Sequence, residues 1–281
     1  SARVVADSCR DPYAPKGPSD AVPADPVSNA VALADKLDQL AGFFAIGERP
    51  TGAGDPYALR RAALGIIRII RQHRLRLHLL PLIEAAGLGL LHQGLHHHRV
   101  QPVPPREVLE FLADRLRIQL RAEGARHDVL AAVFSAAGTH GPDDDLVRLL
   151  ARADAVAGLL GSQDGADLLT AYRRAANILR IEERKDGPHG DPPDPSLFRE
   201  PAEVDLGHAL AATDAVVALL EQEQYGAAMT GLARLRAPLD AFFDRVTVNA
   251  PELDLRRNRL RLLNLLRATM DRVADFSRIE G

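Results

Sequence analysis

Apolar residues recur along this chain every three or four positions rather than at alternate ones, the period of helices with one buried face. From Val27 the series Val31, Ala34, Leu37, Leu40, Ala41 and Phe44 traces such a stripe. The Gly/Pro-rich stretch Gly47 to Pro56 interrupts it. Asp55 then offers an N-cap and Pro56 a first helical residue, for a helix through Leu59, Leu64, Ile67 and Ile70. Further helices are predicted at about Leu77 to His92, Arg106 to Glu123 (opened by Pro105), His127 to Ala137 and Asp143 to Leu160. Past Gly161 to Gly165 the pattern predicts Asp167 to Arg184, Val204 to Gln222, Tyr225 to Asp244 (kinked or split by Pro238) and Asp254 to Ser277. The fold class expected is all-α. We place a domain boundary near Ser162, with a helical region and linker helices over 1–161 and an antiparallel helical bundle over 162–281.

Composition agrees with a helical reading. Leu, Ala and Arg dominate, aromatic residues make up only 4% and Trp is absent. With 46% hydrophobic and 26% charged residues the chain is of globular composition. A net charge of −3 excludes a global field for nucleic acid, so any polyanion site must be a local patch. The single Cys9 suits a reducing cytoplasm, and no apolar run approaches the ~20 residues of a membrane span. Neither a membrane nor DNA is expected as a partner. Ser1-Ala2-Arg3-Val4 reads as the middle of a helix without an initiator Met, so further chain is expected upstream.

Catalytic motifs are scarce. There is no Gly-x-x-x-x-Gly-Lys-Ser/Thr loop and no Gly-x-Ser-x-Gly elbow, so no ATP site or acyl nucleophile is expected here. His92-Gln93-Gly94-Leu95-His96 has the spacing of a zincin helix, but Gln93 stands where the general base belongs and glutamine cannot take a proton from metal-bound water. His127-Asp128 is a second metal candidate. It reads more simply as a helix start with an acid in the first turn. Asp35 and Asp38 share a helical face and are expected to pair with Arg60 or Arg61 rather than to bind a cation.

Arginines carry more information. Arg173, Arg174, Arg180, Arg184 and Lys185 stand against only Glu182 and Glu183, and six arginines lie between Arg256 and Arg272 against Asp271 alone. On a helix from Asp254, residues Leu262, Leu263, Leu265, Leu266, Met270 and Val273 form the apolar stripe. Arg257, Arg261, Arg272 and Asn264 fall on the solvent face, with Arg256 and Arg267 flanking the stripe. Arg259 falls on the apolar side and is expected to be a paired, structural arginine. Rows of guanidinium groups suit phosphates. An Arg-rich solvated face serves as well on pattern alone, and the two readings stay open. Asn177, Asn249 and Asn258 are candidate base readers.

Longer blocks carry a family likeness. Gly17-Pro18-Ser19-Asp20, Ala34-Asp35-Lys36-Leu37-Asp38 and Gly42-Phe43-Phe44-Ala45-Ile46-Gly47-Glu48 run on into Pro50-Thr51-Gly52 and Asp55-Pro56-Tyr57-Ala58-Leu59-Arg60-Arg61-Ala62-Ala63-Leu64-Gly65. Together they resemble the β subunit of the bacterial α2β2 glycine–tRNA ligases. Tyr172-Arg173-Arg174-Ala175-Ala176-Asn177-Ile178-Leu179, Pro238 to Val246 and Arg257-Asn258-Arg259-Leu260 resemble the opening and closing helices of that subunit's DALR-type anticodon-binding domain, itself similar to that of arginine–tRNA ligases. The resemblance implies an HD-like helical region followed by an anticodon-binding bundle. It implies tRNA-Gly and the α subunit as partners, and a cytoplasmic enzyme in which this part is non-catalytic. Glycine activation with ATP and Mg is then expected in the α subunit, with no cofactor and no metal in this part. Under it Arg173, Arg174, Asn177, Arg180, Arg257, Arg261 and Arg272 become the expected tRNA contacts. This chain departs from the family at Ala53-Gly54, where Ser-Lys is frequent, and at Pro12, where His is common. The rivals are a helical scaffold for the α subunit and an HD-type metal phosphohydrolase.

Overall fold

A computed structural model describes residues 13–17, 20–92, 102–135 and 143–280. The described residues are helical, with no strand beyond an isolated bridge between Thr51 and Gly54. The helices are α1 (Pro26–Ala45), α2 (Leu59–His73), α3 (Leu79–His92), α4 (Pro105–Ala122), α5 (His127–Ser135), α6 (Leu146–Leu160), α7 (Gln163–Asp186), α8 (Pro201–Ala211), α9 (Asp214–Glu221), α10 (Tyr225–Ala233), α11 (Arg236–Arg245) and α12 (Leu253–Asp271). The chain forms two compact units, residues 1–125 with 143–149, and residues 126–142 with 150–281.

In the first unit α1 packs on α2 and α3, and α4 lies against all three. The shared interior is Leu37, Leu40, Phe44, Ile66, Ile67, Ile70 and Leu112. Phe44 meets Phe111 of α4 with ring centres 5.5 Å apart. Helix starts here are fixed by carboxylates. The Asp55 carboxylate accepts from the backbone N–H of Leu59 and Arg60 at 2.8 and 3.0 Å. It does so from three residues before the N-cap, because residues 55–58 close a turn and Ala58 adopts φ 56°. Pro56 therefore lies in that turn and not at the first helical position. Asp145 accepts from Val147 and Arg148 N–H at the start of α6 and pairs with Arg76. Asp144 accepts from the Leu80 N–H and from His78.

The second unit is built on α7, which packs against α11 and α12; α8 in turn packs against the same two helices. Tyr172, Leu179, Leu206, Leu239, Phe242, Leu263 and Leu266 fill the space between. The Ser162 hydroxyl caps α7 at the Gly165 N–H. A Cβ on Gly165 would lie 1.9 Å from the Leu159 carbonyl oxygen, so only glycine lets this tight turn close. One helix expected over Val204 to Gln222 is two, α8 and α9. The Thr213 hydroxyl donates to the Leu210 carbonyl, competing for a helical acceptor at the break. The stretch from Tyr225 likewise divides, with Pro238 in the first turn of α11, where a missing N–H costs nothing. Helix α12 ends at Asp271, short of Ser277, and a 3-10 turn Phe276–Arg278 follows.

Two arrangements hold this unit. The Glu203–Arg259 pair is buried, Glu203 at 0% and Arg259 at 6% exposure, with Nε of Arg259 donating at 2.9 Å. Arg259 also donates to the Thr247 carbonyl at 2.8 Å. Glu203 accepts from the N–H groups of Arg199 and Glu200, closing a capping box on α8. Separately, the last residues are strapped to α5. Asp275 N–H donates to the Ala132 carbonyl, and Glu280 N–H donates to Asp128, whose carboxylate is also held by Arg126. Arg173 donates to the Ile279 carbonyl.

Two outcomes follow. Arg259→Ala leaves the Glu203 carboxylate buried and unpaired, so urea unfolding should show a loss of about 3–5 kcal/mol. Arg257→Ala should stay within about 0.5 kcal/mol. A fragment of residues 162–281 lacks α5 and leaves the strap without partners. It should melt lower by more than roughly 4 °C than residues 126–281. Equal melting would show that α5 adds nothing.

Candidate nucleic-acid interface

Arg259 sets the rotation of α12. Residues two away on a helix lie about 200° round it, so burying Arg259 turns Arg257 and Arg261 outward. Arg257 and Arg272 are exposed, and Arg261 is 30% exposed. Leu265, expected in the apolar stripe, is 36% exposed, while Leu262, Leu263, Leu266, Met270 and Val273 are buried. The side of α12 that meets α7 carries charge matched by charge. Arg256 bonds Glu182 and lies 2.6 Å from Asp186, and Arg267 bonds Glu183 at 2.6 Å. Asp271 accepts from the Tyr172 hydroxyl at 3.0 Å. These arginines hold helices together and are not offered to a ligand.

On α7, Arg173, Asn177, Arg180 and Arg184 share a face by their spacing. Asn177, Arg180 and Arg184 are exposed, and among the described residues neither Arg180 nor Arg184 has a carboxylate partner. Arg180 meets only the Asn177 side-chain oxygen, at 3.4 Å. Arg173 is half-buried and used by the Ile279 carbonyl. Arg174 stacks over the Phe243 ring of α11 at 4.3 Å, which leaves its guanidinium edge for in-plane hydrogen bonds. Arg257 and Arg272 have no ion pair among the described residues, whereas Arg261 lies 2.6 Å from Asp191, itself 75% exposed.

The candidate base readers divide. Asn258 is fully buried and exchanges two hydrogen bonds with the Asp194 backbone, at 2.7 and 2.9 Å. It anchors the loop before α8. Asn249 and Asn177 are both at the surface, and Asn249 donates to Glu182 at 3.4 Å. Sequence reasoning missed Asp191, whose role as cover for Arg261 depends on a contact 70 residues away in the chain.

Of the metal candidates, Asp128 is spent on Arg126, the Val129 N–H and the Glu280 N–H. Among the described residues no group of three or more His, Cys, Asp or Glu is placed to hold a metal ion. Cys9, His96 and the side chain of His92 lie outside the described residues. Asp35 and Asp38 make no ion pair with Arg60 or Arg61 among them either, contrary to expectation. Arg60 instead donates to the Gly52 carbonyl at 2.6 Å.

Comparison with known proteins finds two family matches. Residues 1–135 match the family described as glycyl-tRNA synthetase beta subunit, and residues 168–276 match the DALR anticodon binding domain. The chain thus carries a glycyl-tRNA synthetase beta subunit domain and a DALR anticodon-binding domain. Over 99% of its length it is 54% identical to the glycine–tRNA ligase beta subunit of Rhodospirillum centenum, 47% to that of Cereibacter sphaeroides and 48% to that of Phenylobacterium zucineum. It spans 38–39% of the length of these relatives. The DALR match starts within α7 and ends in the strap, so it takes in every arginine of both rows. Among the described residues no helix is long and apolar enough to cross a membrane.

The α7–α12 seam has a pH signature. Hydrogen bonds from Lys185 and then Arg256 hold the Glu182 carboxyl down to about 2. Arg267 does the same for Glu183 in direction, against an opposing effect of burial. A lowered folded value gives stability that is complete above the unfolded value and lost as pH falls through the folded one. Asp271 is pushed up by burial and works with the opposite sign. The urea midpoint should therefore fall between about pH 4.5 and pH 2, and Glu182→Gln should flatten that fall while lowering the midpoint at pH 7. A variant with an unchanged pH profile would mean that the seam adds nothing.

Proposed function

We propose that this chain is the tRNA-reading part of a glycine–tRNA ligase β subunit. It carries no catalytic centre of its own and supports ATP-dependent glycylation of tRNA-Gly carried out with the α subunit, in an α2β2 assembly in the cytoplasm. ATP and Mg then belong to the α subunit. One observation carries the reading. The segment matching an anticodon-binding domain is also the segment whose two principal helices leave Arg180, Arg184, Arg257 and Arg272 exposed and, among the described residues, without carboxylate partners. Unpaired guanidinium groups at fixed helical spacing supply charge-assisted, directional donors to phosphate oxygens. Phosphates hold the RNA in place, and Asn177 and Asn249 with the stacked Arg174 are exposed planar groups that can meet unpaired bases.

Arg261 adds a tunable contact. Its partner Asp191 is exposed, and exposed pairs contribute at most about 1 kcal/mol. A phosphate can therefore displace Asp191 at little cost.

Fluorescence anisotropy of the 281-residue chain with a tRNA-Gly transcript, at low and moderate salt, tests this. Arg180→Ala, Arg257→Ala and Arg272→Ala should each weaken binding and lower the salt slope by about 1. Asp191→Asn should tighten it. Changed anticodon bases should weaken it further. Binding unaffected by all three arginine variants would favour a scaffold for the α subunit, with no RNA contact on this face.

A further inference from the structure

The second unit carries a layered aromatic stack that phosphate contacts alone do not use. Phe242 of α11 is fully buried, and its ring meets Phe243 edge-on, with centres 5.7 Å apart at 71°. Phe243 is half-buried at the surface of the same helix. The Arg174 guanidinium of α7 lies over the Phe243 ring, 4.3 Å from its centre. The core thus fixes the ring, and the ring holds the guanidinium within cation–π reach. Arg174 is exposed, and among the described residues it has no carboxylate partner and no hydrogen bond. Asn177 follows it by three residues, a spacing that sets the two side chains beside each other on α7. The Asn177 amide is exposed, and among the described residues its oxygen meets only Arg180, in a long contact of 3.4 Å.

This stack selects a flat ligand. A guanidinium resting on a ring keeps two ways to bind: its outer face takes a second flat π system, and the N–H groups of its edge donate in plane. An unpaired nucleobase presents such a face whatever its identity, and guanidinium planes are among the surfaces on which unpaired bases stack. A phosphate or carboxylate by itself would use the edge and leave the face idle. Arg180 and Arg184 are exposed on the same helix and, among the described residues, lack carboxylate partners, so the phosphates flanking such a base find donors. We propose that Phe243 and Arg174 form a stacking platform for one unpaired base of a bound RNA, with the Asn177 amide at the edge of that base. The platform rests on the tRNA-reading function above and adds how the site takes a base. It makes Phe243, a ring covered by Arg174, a positioning residue.

Double-mutant cycles test the platform, read by anisotropy of the 281-residue chain with a fluorescent anticodon stem-loop of tRNA-Gly. Each unpaired loop nucleotide is replaced in turn by an abasic one. At one position, loss of the base should weaken binding roughly tenfold. Arg174→Lys keeps the charge and removes the plane. It should weaken the intact stem-loop by a similar factor, leave the salt slope unchanged, and make the abasic substitution at that position nearly without effect. Phe243→Leu should give the same coupling with Arg174 in place. Arg180→Ala should lower the salt slope by about 1 and leave the abasic loss at its wild-type size. Thermal melting checks that the variants fold; if Phe243→Leu melts early, Arg174→Lys decides alone, since its side chain is exposed. If Arg174→Lys binds like the wild type, or if every abasic loss persists in it, Arg174 is a charge contact only. The platform is then overturned while the tRNA-reading function stands. No binding of the intact stem-loop at low salt overturns both.

Discussion

The Glu203–Arg259 pair is the constraint on which the second unit depends. Two charges taken out of water are stable only if each finds partners for its remaining donors or lone pairs. Here they do: Glu203 accepts from Arg259 and from two backbone N–H groups at the start of α8, and Arg259 also reaches the Thr247 carbonyl. Burial opposes the Glu203 charge, but these donors outweigh it and hold the carboxyl below its usual range. A single ion pair thus joins the first turn of α8, the loop before α12 and α12 itself. It also fixes the rotation of α12, and with it the arginines that face outward. The candidate RNA face is a consequence of a buried contact made from the other side of the same helix.

Periodicity made the helices legible, along with the special status of Arg259, because both follow from which positions lie on an apolar face. The sorting of the remaining arginines was not legible. Arg256, Arg257, Arg261, Arg267 and Arg272 look alike in the chain, yet Arg256 and Arg267 are bound to α7 carboxylates and Arg257 and Arg272 are not. The partners lie 74 and 84 residues away, beyond the reach of any local pattern. Glu182 and Glu183 are the only acids within the α7 basic stretch, and they are consumed at the seam. The same limit applied to Asn258. It was a candidate base reader, whereas the loop it anchors is 64 residues upstream. The break between α8 and α9 was hidden for a different reason, since neither Gly nor Pro marks it and a hydroxyl competing for one carbonyl does.

Carboxylates in the first unit show how far a chemical motif can mislead when geometry is unknown. Asp55, Asp144 and Asp145 accept from backbone N–H groups at helix starts, with Arg and His as secondary partners. A carboxylate committed to such bonds is a poor metal ligand, because its lone pairs are already used. Asp128 of the second unit is committed in the same way. Asp144 and Asp145 cap helix starts, Asp143 pairs with Arg148, and Asp128 holds Arg126 and the chain near Glu280. A metal-dependent phosphohydrolase would need such groups to be free and convergent.

The same accounting explains how a chain with a net charge of −3 can present cationic surface at all. Several of its acids neutralise arginines between helices or cap helix starts, and Arg180, Arg184, Arg257 and Arg272 have no carboxylate partner among the described residues. At physiological ionic strength the screening length is about 8 Å. A phosphate near Arg257 or Arg272 therefore feels the nearest guanidinium groups and little of the acids beyond that distance. Local pairing, more than net charge, decides where a polyanion can rest on this molecule. On the α12 face a cationic surface arises because the nearby acids are few or already bound.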